Sequence, residues 1–230
     1  MQSSKLRIGI ISAEKSGDYL AASFIESLKS SGRDFELFGI GGKELDKFNI
    51  SRPQDFDREI LNVMGIIDPL KNLGQILRAR KQILDFLISK NINIFIGVDS
   101  PDLNAFFHKK LKKINSTINF QIVSPSVWAW RSGRVKQLRK FVDTTFCLFK
   151  FEHEYLKKHD VNSFHVGHPF QDIERVEDDS SIKNRYGINN DSECLTFLVG
   201  SRRSEISNML SIYKKVIKKV YEGRSEERRV

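Results

Sequence analysis

The sequence is poor in cysteine: the two it has, Cys147 and Cys194, lie far apart, each inside a strand-like apolar run (TTFCLF and ECLTFLV). That separation argues against a disulfide framework or a paired thiolate metal site, and it predicts two small core residues in a reducing compartment. The histidines, His153, His159, His165 and His168 among them, come without a supporting pattern of cysteines or carboxylates. No metal and no cofactor is expected. No run reaches the roughly 18 uninterrupted apolar residues of a membrane span. The N-terminal LRIGIIS is broken by Arg7 and followed at once by Glu14 and Lys15, unlike a secretory leader. Any membrane contact is therefore expected to be peripheral, and the location cytoplasmic.

What is present suits a packed globular chain, with 40% hydrophobic and 29% charged residues. The formal net charge of +9 is a bias toward nucleic acid, anionic lipid headgroups or phosphorylated ligands. The basic residues are scattered and no nucleic-acid motif with aromatic stacking positions accompanies them, so no nucleic-acid partner is expected. At 230 residues the chain is longer than one average domain and shorter than two full α/β domains.

Short β-branched runs alternate with helical patterns. Strands are predicted at 6–11, 35–40, 92–98, 118–123, 144–149 and 163–166, with helices between them. One long helix is predicted after Pro69, with Leu70, Leu73, Leu77, Leu84 and Leu87 on one face. INIFIGV (92–98) is apolar almost throughout, as a central parallel strand covered on both faces must be. The alternation predicts an α/β fold with a doubly wound parallel sheet. From Gly167 to Asn190 the sequence turns polar, before a further predicted strand (194–199) and helix (203–221). These readings give a first domain over 1–168, a linker with an incomplete second domain over 169–222, and a tail, 223–230. The tail RSEERRV reads either as a solvated helix end or as a non-native translated adaptor sequence.

Several motifs carry chemistry. SAEKSGD (12–18) joins the first strand to a helix, placing Ser16, Gly17 and Asp18 at a helix N-terminus whose free N–H groups face the sheet's carboxyl edge. Helix capping by Ser16 or Asp18 is the plainer reading. Glu14, at the same strand end, faces the cleft. GIGG (39–42) lacks the full dinucleotide glycine spacing and reads as a tight turn. In GVDSPDLN (97–104) a buried strand delivers Asp99 to the crevice, Pro101 stops the strand and Asp102 caps the next helix. Asp99 has no such capping role; a functional and a structural reading stand level. SPSVWAWRSGR (124–134) gathers Trp128, Trp130, Arg131 and Arg134. Its tryptophans are core or binding-loop residues, and its arginines suit phosphate. VMGIIDPLKNLGQILRARK (63–81) combines apolar residues with Arg78, Arg80 and Lys81 and reads as core or as an anionic-membrane contact. In VGSRRSE (199–205), Arg202 stands beside a helix start, in a routine turn or a phosphate site.

Taken in order, SAEKSGD, VMGI, GVDSPDLN, SPSVWAWR, GHP (167–169) and GSRRSE resemble the lipid-A-disaccharide synthase family over about 7–222. The resemblance implies a GT-B-like fold of two Rossmann-type domains, the first on the acceptor side and the second binding UDP. It implies transfer from UDP-2,3-diacylglucosamine to 2,3-diacylglucosamine 1-phosphate, releasing UDP. It also implies a peripheral location on the inner membrane of a Gram-negative bacterium and allows a homodimer of the full-length protein. By the same resemblance, Asp99 is the catalytic base, assisted by Glu14. Ser16, Gly17, Asp18, Trp128 and Arg131 bind substrate, and Arg202 lies near UDP. Ala13 and Val199 stand where the family's motifs have glycine and proline, and Leu103 where phenylalanine is common. With most of the donor side missing, this chain alone is expected to be inactive. Other sugar-nucleotide transferases or epimerases of the same fold class are the alternative, with a basic nucleic-acid-binding module ranked below them.

Overall fold

A computed structural model describes the chain except for residues 1–4, 57–72, 115, 128–132, 173–178, 201–202 and 228–230. It divides into two units, Met1–Ile173 and Glu174–Val230.

The first unit is a six-stranded parallel sheet in the order β2-β1-β3-β4-β5-β6. Its strands are β1 (Leu6–Ser12), β2 (Phe35–Ile40), β3 (Ile94–Val98), β4 (Ile118–Ile122), β5 (Thr144–Cys147) and β6 (Ser163–His165). Its helices are α1 (Lys15–Ser30), α2 (Lys43–Asp46), α3 (Leu73–Ser89), α4 (Pro101–Ile114), α5 (Gly133–Phe141) and α6 (Lys150–Lys158), followed by a 3₁₀ turn, Pro169–Asp172.

Side-chain alternation along each strand divides the core in two. On β1, Ile8 and Ile10 join Ala21 and Ile25 of α1 on one face. Ile11 points the other way, into a cluster with Ile83, Leu84 and Leu87 of α3 and Leu103, Phe107 and Leu111 of α4. On β3, Phe95 enters this second cluster while Ile96 and Val98 enter the first. Helices therefore cover both faces, which is the doubly wound arrangement the alternation predicts. The chain runs outward from β1 to β2 on one side and from β3 to β4 on the other. The strand order thus reverses between β1 and β3, and the crevice at their carboxyl ends is where ligands enter such sheets.

Three expectations change. The buried stripe of α3 is Ile76, Ala79, Ile83, Leu84 and Leu87, while Leu77 is 52% exposed. A stripe phased on Ile76 brings three β-branched or small residues onto the sheet and turns Leu77 outward. Leu70 lies outside the described residues.

The second unit contains α7 (Asp179–Arg185) and α8 (Arg203–Glu227). Residues 194–199, predicted as a strand, form no ladder, and Cys194 is exposed rather than in a core. A strand exists through its partner. Among the described residues of this unit there is none to pair with. Cys147 is buried as predicted, and desolvation pushes its thiol up to about 12.

Candidate functional site at the β1 and β3 carboxyl ends

The crevice is built from two strand-to-helix turns. After β1 the chain enters α1 through Glu14, which is the N-cap in extended geometry and makes no side-chain capping bond. The expectation that Ser16 or Asp18 caps this helix is thereby corrected: both lie within its first turn. The first intrahelical bond runs from the Asp18 N–H to the Glu14 carbonyl at 2.9 Å. The N–H groups of Lys15, Ser16 and Gly17 precede it and are the helix's orphan donors, carrying the positive end of its dipole. Lys15 and Ser16 are exposed and Glu14 is half-buried.

Asp18 works beneath this lip. It is buried, and its carboxylate accepts the Gly42 N–H at 2.7 Å and the Glu44 N–H at 2.8 Å. A carboxylate from α1 thus caps the short α2 across 24 residues. The GIGG turn has a physical reason here: a Cβ on Gly42 would lie 2.6 Å from Asp18 Oδ2.

After β3 the chain bends at Asp99 and Ser100, both in the left-handed region with φ of 50° and 37°. Non-glycine residues adopt this conformation at a cost, and such residues gather at functional sites. The Asp99 N–H donates to the Ile122 carbonyl at 2.9 Å, anchoring the bend to β4. Its own carbonyl accepts from Asn104 Nδ2 at 2.7 Å and from Gln121 Nε2 at 3.1 Å. Asn104 and Gln121 are both buried. The Ser100 carbonyl then receives the N–H groups of Leu103 and Asn104, each at 3.1 Å, and α4 begins.

The two turns meet. A Cβ on Gly17 would lie 3.0 Å from Ser12 Oγ, 3.4 Å from Asp99 Cβ and 3.7 Å from the Val98 carbonyl oxygen. Nothing larger than a single methyl group fits at this position between the start of α1 and Asp99. Glu14, Ser16, Gly17 and Asp99 are thus brought to one crevice, with Asp18 below it. Trp128, Arg131 and Arg202 lie outside the described residues. Arg134, read as a phosphate ligand, pairs with Asp102 at 2.5 Å and ties α5 to the first turn of α4.

Sequence reasoning missed Gln121 and His108. His108 is 2% exposed, and its Nε2 lies 3.0 Å from Gln121 Oε1. An amide oxygen only accepts, so the ring donates from Nε2 and its Nδ1 is the bare nitrogen. Desolvation holds the ring neutral, its pKa lowered to about 4. The one available signal was a pair of amides, Asn119 and Gln121, alternating on one buried face of the strand INFQI.

Asp99 is half-buried in a strained turn with its Cβ beside the first turn of α1 at the switch point, a place where a carboxylate can accept a proton and helix N–H groups can hold an anion. The family model described as lipid-A-disaccharide synthetase matches residues 8–228. The chain belongs to the lipid-A-disaccharide synthetase family. A lipid-A-disaccharide synthase of Acinetobacter baylyi is 36% identical over 210 residues, covering 90% of this chain and 52% of that protein. One from Idiomarina loihiensis is 35% identical over 229 residues, covering 96% and 58%. One from Paraburkholderia phytofirmans is 37% identical over 209 residues, covering 90% and 53%. The chain spans about half the length of the curated relatives it matches.

Proposed function

We propose that this crevice is the acceptor side of a glycosyltransferase that joins UDP-2,3-diacylglucosamine to 2,3-diacylglucosamine 1-phosphate, giving the β-1,6-linked lipid A disaccharide 1-phosphate and UDP. The observation that supports this most is the meeting of Asp99 with the start of α1 at the point where the strand order reverses. The Asp99 carboxylate takes the proton of the acceptor hydroxyl. The hydroxyl oxygen forms its bond to the anomeric carbon from the side opposite UDP, and the bond to UDP breaks with its electron pair going to the diphosphate. The N–H groups of Lys15, Ser16 and Gly17 receive the acceptor's phosphate. Glu14, at the same lip, orients acceptor hydroxyls, and Asp18 holds the floor of the site. By the family resemblance Trp128 and Arg131 bind substrate and Arg202 serves the UDP donor, a cation suited to the charge of a diphosphate.

On this reading, residues 1–168 form the acceptor-side domain and 169–222 belong to the linker and the donor side. The acyl chains remain partly in an anionic bilayer at the inner membrane of a Gram-negative bacterium. Leu77, exposed beside Arg78 and Lys81 on α3, supports that contact.

Binding tests this reading. Micelles carrying 2,3-diacylglucosamine 1-phosphate, titrated into residues 1–230, are expected to shift the backbone amide resonances of Ser16, Gly17 and Asp99 saturably. Glucosamine 1-phosphate without acyl chains is expected to bind far more weakly. Equal response to the soluble sugar would favour another sugar-nucleotide enzyme of the same fold, and no response from either would reject the acceptor site. With both lipid substrates present, this chain alone is expected to form no disaccharide.

A further inference from the structure

We propose that Gln121, supported by Asn104 and His108, is the positioning residue of this site, locking the strained bends after β3 and β4 to one another through backbone carbonyls. The proposal rests on the reading of Asp99 as the base.

Gln121 is 1% exposed, and its side-chain N–H groups face three carbonyl oxygens: Asp99 at 3.1 Å, Ile122 at 3.1 Å and Val123 at 3.3 Å. Two of the three belong to residues with positive φ, Asp99 at 50° and Val123 at 72°. For a β-branched residue that conformation is a true outlier. One buried amide therefore spans the two bends, one carrying Asp99 and the other opening the 124–134 connection. Asn104 Nδ2 adds a second donor to the Asp99 carbonyl at 2.7 Å and reaches the Val98 carbonyl at 3.3 Å. The three carbonyls fix which way the amide faces, and Gln121 Oε1 is thereby turned to His108 Nε2, whose N–H it accepts.

Room for this network comes from Gly97 on β3, where a Cβ would lie 2.8 Å from Asn104 Cβ and 2.9 Å from Gln121 Oε1. Stability alone does not explain the arrangement. Asn104 Oδ1, His108 Nδ1 and Ser100 Oγ are buried without a hydrogen-bond partner. A half-satisfied polar network is worse for folding than apolar side chains of the same shape. Places where a fold breaks local rules in this way are its functional ones.

The test uses residues 1–230 with Gln121→Met and Asn104→Leu, near-isosteric changes that remove the donors. Three quantities are read: denaturant unfolding, the three-bond HN–Hα couplings and Cα shifts of Asp99, Ser100 and Val123, and affinity for micelles of 2,3-diacylglucosamine 1-phosphate. Both variants are expected to unfold cooperatively, with Asn104→Leu no less stable than the native chain. The three residues are expected to lose their left-handed signature, and micelle affinity to fall at least tenfold. Native couplings retained in both variants would overturn the clamp, whatever happens to binding. Altered couplings with unchanged affinity would also overturn it as a positioning device, while leaving the acceptor reading intact. If the native chain binds no acceptor, the reading of Asp99 fails, and altered couplings still establish the lock between the bends. If Gln121→Met loses its fold, Asn104→Leu gives the same readout at the same carbonyl.

Discussion

Gly17 and Asp99 share a gap about one methyl group wide: a Cβ on the glycine would stand 3.4 Å from the aspartate's own Cβ and 3.0 Å from Ser12 Oγ. The gap accepts one carbon and resists three. For Gly17→Ala, the Ser12 hydroxyl can turn aside and the gain in helix propensity is of the same size as the crowding, so stability stays within about 1 kcal/mol of native. Gly17→Val adds two further methyls against Asp99 and the strand end, and is expected to cost about 1–3 kcal/mol in urea unfolding while moving the Asp99 amide resonance. A valine variant as stable as the native chain would show that the two turns are not in contact.

The Asp18 carboxylate is a test of architecture rather than chemistry. It satisfies two N–H groups at the start of α2 from within the core. Asp18→Ala leaves both donors buried without a partner and is expected to destabilise by about 2–4 kcal/mol. Asp18→Asn keeps one accepting oxygen and turns an NH2 group against the second donor, so its loss falls between native and alanine. Chemical denaturation reads both. A loss below about 0.5 kcal/mol for alanine would mean that α2 is capped by other means.

Much of this architecture was legible because parallel strands covered on both faces are written as near-continuous apolar runs. β1, β2 and β3 start and stop within two residues of the runs LRIGII, FELFGI and INIFIGV. The placement of Asp99 at a strand end followed from the same pattern. Its partners did not, because they depend on which residues the fold brings together. Asp18 reaches Gly42, and Gln121 reaches Asp99 across 22 positions. No local pattern encodes either pairing. On α3, Ile76 and Leu77 are both apolar, and only packing against the sheet decides which one turns inward. Residues 194–199 have strand composition, yet a ladder is a property of two segments, and the described part of that unit supplies one.

Acid should weaken the fold through His108. Its ring sits edge-on to Phe95, with centroids 4.9 Å apart, and burial lowers its pKa from 6.5 to about 4. Above pH 6.5 the ring is neutral in both folded and unfolded chains, so nothing is lost. Between 6.5 and 4 the unfolded chain takes up a proton that the folded chain refuses, and stability falls by up to about 1.4 kcal/mol per pH unit. Below 4 both states are protonated and the contribution levels off. His108→Leu removes this proton uptake, while the carboxylates titrate alike in both proteins. The native chain is therefore expected to lose on the order of 3 kcal/mol more than the variant between pH 7 and pH 4, measured by urea unfolding. Parallel losses in the two proteins would show that the ring is protonated as easily folded as unfolded.

The proposed role of Asp99 is separable from binding. Asp99→Asn keeps the size of the side chain and its ability to accept a hydrogen bond, but its amide cannot take a proton at neutral pH. A chimera joining this chain to the portion of the Acinetobacter baylyi relative beyond the aligned segment provides a complete enzyme in which to measure turnover. Removing a general base lowers kcat by roughly 10²–10⁴. The acceptor's KM is expected to change less than about threefold, because the N–H groups at the start of α1 still hold the phosphate. If instead KM rises and kcat stays near native, Asp99 binds the acceptor without taking its proton, and the base must be sought elsewhere, first at Glu14 on the opposite lip. Glu14→Gln in the same chimera decides between them, since only the residue that takes the proton loses the larger part of kcat.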